Sequence, residues 1–132
     1  MIASPLNSNT VGRSRGSFAI AEGRAEGGPP RPPRLIAPLY VHRRDEEGWY
    51  VLEGRLLFRL DGREVEAPVD SAVVVPPGVG HASWNPGPER SRYLLVMTPD
   101  LRALIEDLHS PADRTGCAVR AAFRDHGLEL FS

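Results

Sequence analysis

Two histidines and a glutamate are the residues best placed to do chemistry together: His42, Glu47 and His81. His42 closes an apolar stretch, the charged run Arg43-Arg44-Asp45-Glu46 follows, and Glu47 opens the next stretch. A hairpin over that run brings an imidazole and a carboxylate to one end of a sheet. His81 follows Pro76-Pro77-Gly78-Val79-Gly80, a composition that dictates a tight reversal. If the three converge, two imidazoles and one carboxylate can hold a first-row divalent metal (Fe, Mn, Ni or Zn) and leave coordination positions open for a substrate or O₂. Spacing alone is a weak signal here, because the same three side chains can form a metal-free hydrogen-bonded cluster.

Several other chemistries are excluded by composition. All sixteen basic residues are arginine, so lysine Schiff bases and P-loop lysines are absent. Cys117 is alone, which removes an internal disulfide and a thiolate zinc cage; it is expected as a small buried hydrophobe. The net charge of -1 gives no basic excess for a nucleic-acid partner. No apolar run approaches the roughly eighteen residues of a membrane span, and MIASPLNSNTVGRSRG lacks the apolar run of a secretory signal. A cytoplasmic protein with no membrane partner is expected. His109 and His126 fall at the ends of expected helices and receive no catalytic role.

The elements that must position the three residues are short strands. At 132 residues the chain is one domain by length, and three segments are expected: an N-terminal arm over 1–16, a β-barrel over 17–98 and a helical C-terminal tail over 99–132. Strands are expected at 17–21, 35–42, 48–52, 55–60, 63–67, 71–75, 81–84 and 92–98, each bounded by turn residues. The alternation in Arg55-Leu56-Leu57-Phe58-Arg59-Leu60 turns Leu56, Phe58 and Leu60 to a core. Asp61-Gly62 supplies the positive φ angles of a type I′ hairpin. The Pro- and Gly-rich span 22–33 is expected as an extended surface loop. Helices are expected from Thr98-Pro99 to about His109, with Leu101, Leu104, Ile105 and Leu108 on one stripe, and from Cys117 to His126. Many short, evenly spaced strands indicate an all-β sandwich or barrel.

Two stretches then resemble a known family. LYVHRRDEEGWYVLEG, with His42, Glu47 and Gly54, is similar to the first motif of the cupin superfamily, His-x-His-(x3-4)-Glu-(x6)-Gly. DSAVVVPPGVGHASWN, with Pro76, Gly78, His81 and Asn85, is similar to the second, Gly-(x5)-Pro-x-Gly-(x2)-His-(x3)-Asn. The resemblance covers about residues 17–98 and implies a double-stranded β-helix, the cupin jelly-roll barrel. Two positions depart from the pattern: Tyr40 stands where the leading histidine belongs, and Asp70 where the second motif begins with glycine. Asp70 is itself a turn former and is expected to need no glycine-like torsion.

Carried over by resemblance, the metal positions are Tyr40, His42, Glu47 and His81, with His42, Glu47 and His81 as the retained ligands. Tyr40 would be a ligand, a hydrogen-bond donor to bound substrate, or filler of a vacated site. Trp49 and Val51 share parity with Glu47 and either line the same cavity or pack the core; Ser83 shares a face with His81. Trp84, on the opposite face, is expected in dimer or inter-sheet packing. Three functions follow from the resemblance. One is a metal-dependent, dioxygenase-like enzyme acting on a small organic molecule. The second is a metal-free isomerase, epimerase or cyclase in which Tyr40, His42 and His81 move protons. The third is a non-catalytic small-ligand binder. A homodimer is implied as well.

Overall fold

The computed structural model describes residues 1–13, 16–29, 32–36, 40–42, 44–98 and 128–130, of which 40–42 and 128–130 are described by backbone alone. Ten strands are present: β1 Thr10–Val11, β2 Ala19–Ala25, β3 Tyr40–His42, β4 Glu47–Glu53, β5 Arg55–Leu60, β6 Arg63–Pro68, β7 Ala72–Val75, β8 His81–Trp84, β9 Ser91–Met97 and β10 Leu128–Leu130. They form two antiparallel five-stranded sheets in the orders β1-β2-β9-β4-β7 and β10-β3-β8-β5-β6. From β2 onward the chain crosses repeatedly between sheets, and this closes a jelly-roll barrel around one core.

Alternation explains what fills it. On β4, Glu47, Trp49 and Val51 are buried while Tyr50 is exposed. On β9, Tyr93, Leu95 and Met97 are buried while Val96 is exposed. Leu56 and Phe58 supply the opposing sheet, both fully buried, with Leu60 packed against the cluster. Full burial of each such side chain contributes about 1.5–3 kcal/mol. The Asp61-Gly62 turn carries the expected positive φ, 50° and 83°, and pairs Leu60 with Arg63.

Two sequence expectations change and a third is narrowed. The span 22–33 is not loop throughout: β2 runs to Ala25 as an inner strand, registered on β9 from Ala19↔Met97 to Ala25↔Ser91. No proline interrupts it before residue 29, and β9 supplies the pairing that composition alone does not reveal. Asp70 does need a glycine-like torsion, with φ at 65°, which explains glycine in the family pattern. Asp tolerates this left-handed region better than most residues do. Trp84 is covered within its own chain at 1% exposure, bridged by Leu35 and capped by the Arg59 guanidinium 5.6 Å from its ring.

Within the expected N-terminal arm, Thr10–Val11 pairs with β2 of the same chain. The helices expected over 99–109 and 117–126, with Cys117, His109 and His126, lie outside the described residues. No helix is present among the described residues. The described end of the tail is the strand Leu128–Leu130, antiparallel to β3.

Candidate functional site

The turn 76–80 builds the site. Glu47 opens β4 as register partner of Val75, the last residue of β7, and the chain then crosses to the other sheet to begin β8 at His81. Gly78 takes φ 85°, and the Gly80 carbonyl accepts a hydrogen bond from the Asp61 amide at 2.8 Å. This crossing carries His81 across the barrel from β7 and sets it against Glu47.

The two side chains meet: His81 Nε2 lies 3.1 Å from Glu47 Oε2, with exposures of 1% and 2%. His81 Nδ1 lies 3.0 Å from the Val79 carbonyl, which only accepts, so Nδ1 carries a hydrogen. Nε2 therefore faces the Glu47 carboxyl, and a proton or a cation between the two is what makes so buried a contact favourable.

Trp49 walls the pair. Its ring is edge-on to His81 at 5.7 Å and edge-on to Phe58 at 5.1 Å. Val51 is fully buried in the core cluster, two residues along the same face. Ser83 is buried as register partner of Phe58. Tyr40 is the register partner of His81 across β3 and β8, and His42 that of Leu128 across β3 and β10. The side chains of Tyr40 and His42 lie outside the described residues. Among those described, no group of three His, Cys, Asp or Glu side chains clusters as a metal site.

Sequence reasoning missed Tyr93. It is buried at 6% exposure on the inner face of β9, and burial together with the Glu47 charge pushes its phenol up to about 12. The alternation of Tyr93, Leu95 and Met97 was the available signal. A groove of about 430 Å³ lies over the first sheet, lined by Phe18, Ile20, Tyr50, Val74, Leu94 and Val96 and reaching Glu47 and Trp49 at the start of β4.

A two-sheet antiparallel barrel with an imidazole and a carboxylate paired inside it defines a jelly-roll protein with a polar interior site. The chain belongs to the cupin family, whose Cupin domain profile matches residues 31–97. Similar solved structures include a sugar phosphate isomerase from a cupin superfamily, from Silicibacter pomeroyi: 22% identical, covering 63% of this chain and 51% of that one, TM-score 0.55. KdgF from Halomonas sp. is 18% identical, covering 69% of this chain and 76% of that one, TM-score 0.56. A Cupin 2 conserved barrel domain protein from Salinispora arenicola is 17% identical, covering 85% and 75%, TM-score 0.53. The chain thus spans about half the length of the isomerase structure it matches. None of the curated proteins matches the chain in sequence.

Proposed function

We propose that this cupin domain is a metal-dependent, dioxygenase-like enzyme for a small organic molecule, with one first-row divalent ion held by His42, Glu47 and His81 inside the barrel. The observation that carries the reading is the buried Glu47–His81 contact of 3.1 Å. A buried imidazole nitrogen and a buried carboxylate oxygen side by side are donor types that such an ion takes, so the donors present would fit it. The ion would act as a Lewis acid toward an oxygen-bearing substrate.

The chain's own residues orient and enclose. The Val79 carbonyl fixes the His81 ring, so Nε2 faces the interior as the donor atom. Trp49 and Phe58 exclude water from one side of the pair. Tyr40, opposite His81 in register, is assigned the hydrogen bond to bound substrate. The working form in this reading is a cytoplasmic homodimer.

The same buried contact supports a second reading, a metal-free isomerase-like enzyme in which the Glu47–His81 pair takes and returns a proton. Likeness in fold to a sugar phosphate isomerase agrees with it. Elemental analysis separates the readings. Wild type and His81→Ala are dialysed, then incubated with Fe(II), Mn(II), Ni(II) or Zn(II). Near-stoichiometric metal in the wild type, lost in the variant, is expected, and oxygen uptake is then screened. No retained metal under any loading condition rejects the metal reading. A pH–rate profile of His81→Ala and Tyr40→Phe would then distinguish a proton-transfer enzyme from a binder, which has no turnover to lose.

A further inference from the structure

The inner face of the second sheet continues past His81 to a cation. Register sets Arg63 opposite Leu60 across β6 and β5, Leu60 opposite His81 across β5 and β8, and His81 opposite Tyr40 across β8 and β3. Directly opposed residues share a face, so Arg63 stands in the row of the buried imidazole, two strands and about 10 Å away at the Cα atoms. The next residue fixes the parity independently. Glu64 pairs with Arg59 at 3.5 Å, and Arg59 lies over the Trp84 ring on the outer face.

Exposure rises along this row. His81 is 1% exposed, Leu60 is half-buried and Arg63 is exposed. Val65, the next residue on the same face of β6, is 44% exposed although its partner Phe58 is fully buried. The edge strand β6 is therefore a rim where the inner face opens to water. The other arginines of this hairpin are engaged on the outer face, Arg55 with Glu66 and Arg59 with Glu64. Arg63 enters no ion pair among the described residues. Its guanidinium is charged at every physiological pH and presents a planar fork of donors that matches a carboxylate or a phosphate.

We propose that Arg63 anchors the anionic end, carboxylate or phosphate, of a small organic molecule whose reacting end lies beside Glu47 and His81. This rests on the location of the site proposed above. It adds to that site a substrate class, an organic anion, and a specificity residue that lies outside both family motifs. Leu60, between Arg63 and His81 in the row, is the apolar stretch that the carbon chain crosses.

Arg63→Gln tests it, with Arg90→Gln as the control for net charge, since Arg90 is exposed and pairs with Glu53 at the opposite end of the barrel. Calorimetry at low ionic strength measures succinate, 2-phosphoglycolate and the neutral succinamide on metal-free and Zn(II)-loaded protein. The two anions separate a carboxylate anchor from a phosphate anchor. At least one of them is expected to bind the wild type about five-fold or more tightly than Arg63→Gln, the range of one partly solvated charged hydrogen bond, while Arg90→Gln binds as the wild type does. The His81 ring resonances are expected to shift on adding the same anion, and succinamide to bind wild type and variant alike. Equal affinities for the anions, an equal loss in Arg90→Gln, no anion bound by the wild type in either form, an equal loss for succinamide, or Arg63-dependent binding without a shift at His81 overturns the proposal. Metal retained with equal anion affinities defeats this inference alone. No metal retained, with the five-fold loss seen in the metal-free protein, defeats the metal reading alone.

Discussion

At the scale of single residues, two positions show how local conformation and environment constrain side-chain choice. Asp70 stands at φ 65°, accepts a long hydrogen bond from the Tyr50 hydroxyl at 3.4 Å, and takes up the torsion that glycine would adopt freely. Asp70→Gly is expected to leave urea stability nearly unchanged. Asp70→Val is expected to lose about 1–2 kcal/mol, because a β-branched side chain is excluded from the left-handed region. Tyr93 sets an alkaline limit. Its folded-state value of about 12 lies above a phenol's ordinary 10, so the stabilisation is complete below pH 10 and is lost as pH rises through 12. The loss is about 2–3 kcal/mol at most. Chemical denaturation of the wild type between pH 9 and 12 should show this decline, and Tyr93→Phe should flatten it.

At the scale of elements, β2 and β10 carry the departures from simple pattern reading. The outer end of β2 is charged: Glu22 accepts from Arg24 at 2.8 Å and lies 3.6 Å from Arg92, which reaches Glu53 at 2.7 Å. The Arg24 hydrogen bond holds the Glu22 carboxyl below its ordinary value. Its contribution is therefore present above that value and lost as pH falls through the depressed one, which a salt-dependent acid titration of wild type against Glu22→Gln should show. The middle of β2 is set by Gly23. Gly23→Ala drives a methyl group into the Tyr93 ring and is expected to cost about 1–3 kcal/mol, with a smaller cost in a Tyr93→Leu background, measured as a double-mutant cycle. Strand β10 covers the edge of β3 that holds Tyr40 and His42. Removing residues 128–132 opens that edge, so faster amide exchange at 40–42 is expected, along with a greater tendency to associate.

At the scale of the molecule, the outer face of the first sheet bears on assembly. Phe18 (59%), just before β2, and Val74 (63%) and Val96 (42%) on β7 and β9 are exposed where water-facing polar residues would be ordinary. They line one groove with Ile20 and Leu94. An apolar face of this kind favours burial against another surface, and in the proposed homodimer that surface is a second copy. Val74→Glu combined with Val96→Glu is expected to convert a dimer to a monomer in light scattering while the metal content persists. An unchanged monomeric mass in the wild type would reject the dimer.

The sequence by itself determined the local rules. Alternation placed Leu56, Phe58, Trp49 and Val51 inside, Asp61-Gly62 fixed a hairpin, and the two motifs pointed to the barrel and to Glu47 and His81 as candidate site residues within it. These features depend on a side-chain period of two and on turn torsions, which a few neighbouring residues decide. Tertiary structure decided the rest. Only long-range pairing set Glu47 against His81, 34 residues apart. Only β9 made β2 an inner strand through a glycine- and charge-bearing segment, and only β3 gave residues 128–130 a partner. Tyr93 reads from sequence as one more inward aromatic. Only the packed interior shows that Gly23 lies beneath its ring and admits it, because close approach across strands is a property of the assembled sheet and not of any segment alone.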